Sequence, residues 1–381
     1  MNTLELLDRL IAFPTVSRGP NRDLIEFVRQ FLAERRIGSD LYLAEGGRKA
    51  NLFATIGPTD KPGVMLSGHT DVVPVDGQNW SKDPFRMTLA DGKAYGRGAA
   101  DMKAFLACAL LLADQAAQKS LATPIHLAFS HDEEVGCIGV RSMIDGLAAG
   151  AVRPRFAIVG EPTSMRIATG HKGKIGARAT CCGVAGHSAL APRALNAIHL
   201  ACDFIDAVRE RQNRIEREGP RDDGSDVPYT TLHVGLIDGG TALNIVPDRC
   251  TVDFEIRNIE QDDAGALLDG LMNEAAAIAG RHRDAFPQAY IGIDVFTDYP
   301  GLATPADAEV VRFVGGLVTS QDLSKVDFGT EGGLFWKRLG VPVVVCGPGS
   351  MNQGHKPDEF IALDQLEACD RMMEGLLQRC L

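Results

Sequence analysis

Residues 64–74 read VMLSGHTDVVP, and this stretch decides the fold. Val64, Met65 and Leu66 are consecutive apolar residues rather than an alternating series, the mark of a strand covered on both faces. The run then breaks into His69 and Asp71. The same design recurs along the chain. Short continuous apolar runs at 52–56, 125–130, 156–159 and 341–346 are separated by segments of helical period. Asn2 and Glu5 fit a capping box before Leu6, Leu7, Leu10 and Ile11. Leu24, Phe27, Val28, Phe31 and Leu32 form one stripe of a second helix, and residues 102–116 predict a third. Apolar strands alternating with helices predict an α/β fold, a mostly parallel sheet flanked by helices.

The middle of the chain has another rhythm. Residues 174–184, 230–236 and 251–256 alternate apolar with polar and predict antiparallel strands. Leu195, Ile198, Cys202, Ile205 and Val208 lie on one stripe of a long helix expected over 192–218, with Pro192 at its start. The expected organisation is therefore a metal-binding catalytic domain of residues 1–174 and 298–381. An α+β domain of residues 175–297 interrupts it.

Composition narrows the class. The chain has 381 residues, 45% hydrophobic and 23% charged, which excludes disordered, collagen-like and disulfide-stapled chains. With 50 acidic against 39 basic residues the net charge is -11, unfavourable for nucleic acid or an anionic membrane surface. No apolar run reaches the roughly 18 residues of a membrane span, and the segment MNTLELLDRL lacks the basic start of a signal peptide. Nine cysteines without a CxxC pair read as reduced thiols. These features predict a cytoplasmic protein without nucleic-acid or membrane partners.

The polar residues that follow the strands carry the chemistry. His69 and Asp71 follow one run, Glu133 and Glu134 a second, Glu161 a third, and His355 lies in the Gly-rich loop after a fourth. Asp101 closes GRGAAD just ahead of a helix. In a parallel sheet the carboxyl ends of the strands form the site, so five segments deliver imidazole or carboxylate to one edge. Two imidazoles and several carboxylates without thiolate suit zinc, cobalt or manganese. The set is large enough for two ions, with one histidine and one terminal carboxylate each and Asp101 bridging. Asp71, two residues from His69, is positioned to hold its second ring nitrogen. Of Glu133 and Glu134, one can bind metal while the other takes a proton from water. Rival readings are weaker. GRGAAD lacks the third Gly of a dinucleotide fingerprint, and CGPGSMNQGHK lacks the GK[ST] of a phosphate loop.

SGHTDVVP (67–74), YGRGAADMK (95–103), DEEVG (132–136), VGEPT (159–163) and the late His355 together resemble the dinuclear zinc aminoacylase/carboxypeptidase family. The resemblance spans essentially the whole chain. It implies that His69, Asp101 and Glu161 hold one metal and Asp101, Glu134 and His355 the other. Glu133 would be the general base and Asp71 the partner of His69. Family use favours two zinc ions, with cobalt equally suited to the ligands. The inserted domain would serve as a lid and dimerise the protein. GEPTSMRIATGHKG (160–173), YTTLHVGLIDGGTALNIVPDRC (229–250) and CGPGSMNQGHKPDEFI (346–361) are most similar to the branch that removes acetate from N-acetylornithine. By that resemblance Arg257 would grip the carboxylate of a small N-acyl amino acid, His187 would support the oxyanion and Asn244 would contact substrate. Glu331, in FGTEGG, is assigned to the substrate ammonium. His126, His199, His233 and His282 are read as structural, and His171 as either a hinge residue or a substrate contact.

Overall fold

A computed structural model describes residues 1–44, 46–150 and 153–381. The chain divides into two units, residues 1–171 with 302–381, and residues 172–301.

The larger unit is built on one sheet. Its strand order is Ser39–Leu43, Ala50–Ile56, Ile125–Ser130, Val64–His69, Phe156–Pro162, Val343–Gly347, Ile167–His171, Leu302–Ala303, with Leu323–Val326 also paired to Ile167–His171. The four central strands, from Ile125–Ser130 to Val343–Gly347, run parallel. Every residue in them is buried, which is why their sequences are mostly apolar rather than alternating. Residues 50–56 share that composition but pair antiparallel with Ile125–Ser130, toward one edge. Composition reports burial on both faces, not strand direction. The helices Thr3–Ile11, Arg22–Ala33, Lys103–Ala116 and Leu363–Cys380 share one apolar core with the sheet. The Asn2–Glu5 capping box is formed as its sequence predicts. Lys103–Ala116 is apolar nearly all round, as a helix enclosed on all sides must be.

The smaller unit holds a four-stranded antiparallel sheet in the order Thr231–Gly239, Arg249–Asn258, Gly173–Cys182, Tyr290–Tyr299. Its core lies between this sheet and the helices Ala197–Glu218 and Ala264–Gly280. Val252, Phe254 and Ile256 point to that core, in keeping with their alternation. Two expectations are corrected. The long helix begins not at Pro192 but after Asn196, whose side chain accepts the N–H of Ile198 at 2.9 Å. Pro192 sits in a separate 3-10 turn, Ser188–Arg193, and the extended Ala194 keeps the two apart. The unit also begins and ends a few residues outside 175–297, because Gly173–Cys182 and Tyr290–Tyr299 stay paired up to Lys174 and Tyr299. Among the described residues no helix is long and apolar enough to cross a membrane.

Candidate metal centre

Because the central strands are parallel, their carboxyl ends share one edge of the larger unit, and the predicted ligands collect there. His69 is the last residue of Val64–His69, Glu161 lies near the end of Phe156–Pro162, and Glu133 and Glu134 follow Ile125–Ser130. His69 Nε2 is 3.0 Å from Asp101 Oδ1 and 3.7 Å from Glu161 Oε1. His355 Nε2 is 3.1 Å from Asp101 Oδ2 and 3.0 Å from Glu134 Oε1. Asp101 thus turns one oxygen toward each histidine. The helix that follows it starts at Lys103 with Met102 as its cap and no side-chain cap bond, so the Asp101 carboxylate is not used in capping. Two sets of donor atoms fall within 4.8 Å of one another: His69 with Glu133 and Glu161, and His69 with Asp101 and Glu134.

The electrostatics fit a cation. Burial pushes the carboxyls of Glu133 and Glu161 well above the usual carboxylate range, with neighbouring carboxylates adding to it, and Glu134 is raised for the same reasons. Burial would raise Asp101 too, but His355 and His69 outweigh it and hold that carboxyl low. Hydrogen bonds to Asp101 and Glu134 lift His355 to about 10. Burial opposes a charge on His69, yet Glu161, Asp101 and Asp71 together raise it well above its ordinary value. A dense acidic set that draws protons onto its histidines is short of positive charge. Divalent cations would supply it and leave the imidazoles neutral as ligands.

One sequence expectation changes at Asp71. His69 Nδ1 lies 2.8 Å from the backbone carbonyl oxygen of Asp71, whereas the nearer carboxylate oxygen is 3.6 Å away. The carboxylate is engaged elsewhere. It accepts the backbone N–H groups of Glu133 at 3.1 Å and Glu134 at 3.4 Å, and the Ser17 hydroxyl at 2.7 Å. Asp71 therefore orients His69 through its main chain and the Glu133–Glu134 turn through its side chain.

The other predicted residues fall in two groups. Glu331 belongs to the larger unit and is 1% exposed. Its Oε2 accepts from Ser67 Oγ at 3.3 Å, its Oε1 has no hydrogen-bond partner among the described residues, and burial lifts its carboxyl to about 7. Arg257, His187 and Asn244 belong to the smaller unit. Arg257 is half-buried, with Nε 3.1 Å from Glu255 Oε1 and Nη1 3.3 Å from the Tyr299 hydroxyl. His187 is exposed and its Nδ1 accepts the N–H of Ala189, while Ser188 N–H donates to the Asn244 carbonyl at 3.0 Å. His187 and Asn244 are thereby neighbours. His171 ends its strand with Nε2 3.1 Å from Thr330 Oγ1.

Several residues around the cluster escaped sequence reasoning. Glu359 and Arg97 form a buried ion pair at 2.7 Å behind Asp101. Lys49 and the N–H of Arg18 bind Asp132, the residue before the glutamate pair. The Cys137 thiol donates to Glu133 Oε1 at 3.3 Å. Arg97, Asp132 and Glu359 lie inside the motifs already quoted, but only the fold shows which of them meet.

A parallel sheet whose carboxyl edge gathers imidazoles and acidic side chains around shared donor atoms is the framework of a metal-dependent hydrolase. Residues 65–379 match peptidase family M20/M25/M40, and the chain belongs to that family, as a hydrolase of linear amides. It is 32% identical to an acetylornithine deacetylase of Pasteurella multocida over 98% of this chain and 97% of that protein. Two solved structures share the fold. One is an M20 family metallo-carboxypeptidase from Sulfolobus solfataricus, with TM-score 0.79, 18% identity and 99% of each chain covered. The other is a dinuclear metal-binding M20 peptidase from Bacillus subtilis, with TM-score 0.68, 16% identity, 99% of this chain and 97% of that one.

Proposed function

We propose that this chain is a two-metal deacetylase converting N-acetyl-L-ornithine and water to L-ornithine and acetate, a cytoplasmic step of arginine biosynthesis. The observation that carries the metal part is Asp101, with one oxygen toward His69 and the other toward His355. His69, Asp101 and Glu161 form the first metal position, and Asp101, Glu134 and His355 the second. Zinc is the proposed ion, and cobalt suits the same donors. The deacetylase named among the relatives supports the substrate, and the dinuclear peptidase of the same fold supports the count of two.

When bound, two divalent cations lower the pKa of water and polarise the acetyl carbonyl. The protein's own groups do the rest. Glu133 takes a proton from the attacking water as its oxygen bonds to the acetyl carbon. The carbon–nitrogen bond then breaks, and Glu133 returns the proton to the departing amine. Asp71 holds the backbone of Glu133 during both transfers. In the smaller unit Arg257 is proposed to bind the substrate carboxylate, His187 to donate to the developing oxyanion and Asn244 to contact the substrate. Glu331 is proposed for the side-chain ammonium. The smaller unit is proposed to act as the lid and to form a homodimer.

Acetate and amine release by zinc-loaded protein tests the substrate. N-acetylornithine should be preferred over succinyl-diaminopimelate, N-acetylcitrulline and N-acetylmethionine. Preference for another of these would keep the metal chemistry and discard the ornithine assignment.

A further inference from the structure

We propose that Arg97, Glu359 and Gln78 form a tether behind the cluster whose Gln78 arm, through His355, sets the affinity of the second metal position. The inference rests on reading the cluster as a two-metal site. Both side chains of the Arg97–Glu359 pair are 1% exposed. A buried ion pair contributes little net stability, because desolvation offsets its attraction. Its use here lies in what it holds. Glu359 Oε1 accepts the N–H groups of Ala100 at 2.9 Å and Asp101 at 3.0 Å, and Oε2 accepts that of Gly98 at 3.1 Å beside Arg97 Nη1. One carboxylate thus fixes the whole turn that ends in Asp101.

The other arm of Arg97 leads to the second histidine. Arg97 Nη2 donates to Gln78 Oε1 at 2.5 Å, and Gln78 Nε2 donates to the backbone carbonyl of His355 at 3.0 Å. Trp80 adds an N–H to the same Gln78 oxygen at 3.0 Å, and the Arg97 guanidinium lies 4.9 Å from its ring centre. An unbroken series therefore joins the main chain of Asp101 to that of His355 through Glu359, Arg97 and Gln78.

The two metal positions need this tether unequally. His69 and Glu161 are 1% and 3% exposed and stand on central strands, where the sheet and its packing fix them independently of the tether. His355 has a side chain 44% exposed, lies in a loop and has a left-handed backbone with φ +60°. A non-glycine residue keeps such a conformation when its surroundings hold it there. The Gln78 bond to its carbonyl does so, and the bond from Ser81 N–H to Asp358 steadies the same loop.

The test is zinc binding by the full chain, metal-stripped and titrated against a chromophoric chelator, with bound zinc counted by elemental analysis. Wild type is compared with Gln78→Ala and Glu359→Gln. Wild type should bind two zinc ions per chain. Gln78→Ala should keep the first affinity and lose about tenfold or more at the second, the scale on which partners behind a metal ligand act. Glu359→Gln, which also loosens the Asp101 turn shared by the two positions, should weaken both and the second more. Excess zinc should then restore most of their turnover. Loss of fold would abolish binding at both positions, and if Glu359→Gln does not fold, the half-buried Gln78→Ala decides the matter. Wild-type affinity at both positions in folded Gln78→Ala, or equal weakening of both, would overturn the tether. A wild-type chain holding fewer than two zinc ions would instead overturn the two-metal reading, and the tether with it.

Discussion

The carboxylate of Asp71 accepts the backbone N–H of Glu133 at 3.1 Å. A residue two positions from one histidine thereby fixes the main chain of the proposed base, which follows another strand. Replacing Asp71 by Asn turns one acceptor oxygen into a donor facing N–H groups. Turnover of Asp71→Asn should fall about 10- to 100-fold while both metals stay bound, because none of the proposed metal ligands is removed. Unchanged kcat, measured beside the metal content, would contradict the role of this bond.

Glu133 and Glu134 are neighbours with different tasks. Glu133→Ala should retain two metals and lose about 10²- to 10⁴-fold in kcat, the range for a removed general base. Glu134→Ala should release the second metal first, since its Oε1 faces His355 at 3.0 Å. Elemental analysis and turnover of the two variants separate the tasks, and normal turnover in Glu133→Ala would refute the base assignment.

Glu331 tests the substrate side chain. It has one oxygen without a hydrogen-bond partner among the described residues. Glu331→Gln should raise the KM for N-acetylornithine about tenfold, as loss of one charge-assisted contact would. It should leave the KM for N-acetylmethionine, which has no side-chain ammonium, near wild type. An unchanged KM for N-acetylornithine would remove Glu331 from the binding site.

His126 governs part of the acid stability. It is 5% exposed, stacks on Phe53, and burial pushes its imidazole down to about 4. Above the unfolded value of about 6.5 both folded and unfolded chains carry it neutral, and pH has no effect through this group. Below that value the unfolded chain binds a proton that the folded one refuses. Stability is therefore lost as pH falls from the unfolded pKa toward the folded one. Between pH 7 and 5 the loss is about 2 kcal/mol. Denaturant unfolding should show this loss in wild type and not in His126→Phe, and equal pH dependence in both would contradict it.

Most of the proposed ligands were legible in the sequence because His69, Glu134 and Glu161 lie at or just after strand ends. HTD, DEEVG and GEP announce themselves as polar residues that stop an apolar run, and a parallel sheet then gathers them. What it concealed are relations that depend on side-chain direction or long range. Arg97 and Glu359 are 262 positions apart, and nothing in either motif tells that their charges meet behind Asp101. The i, i+2 spacing of His69 and Asp71 was legible, but not that the main-chain carbonyl would take the ring nitrogen and free the carboxylate. Pro192 is a good helix start by type, yet Asn196 wins because its side chain satisfies a first-turn N–H. Strand Tyr290–Tyr299 was not anticipated. Its outer half, with Val295 and Phe296 exposed, lacks the alternation that marked its partners.

The central claim is that this protein hydrolyses an amide with two metal ions at the Asp101-bridged cluster. The most direct measurement is acetate release from N-acetylornithine while metal-stripped protein is titrated with zinc. Release should be negligible without metal and rise until it levels off at two zinc ions per chain. Full release from the metal-stripped chain, or none at any zinc loading with this or the other acyl amino acids, would contradict it.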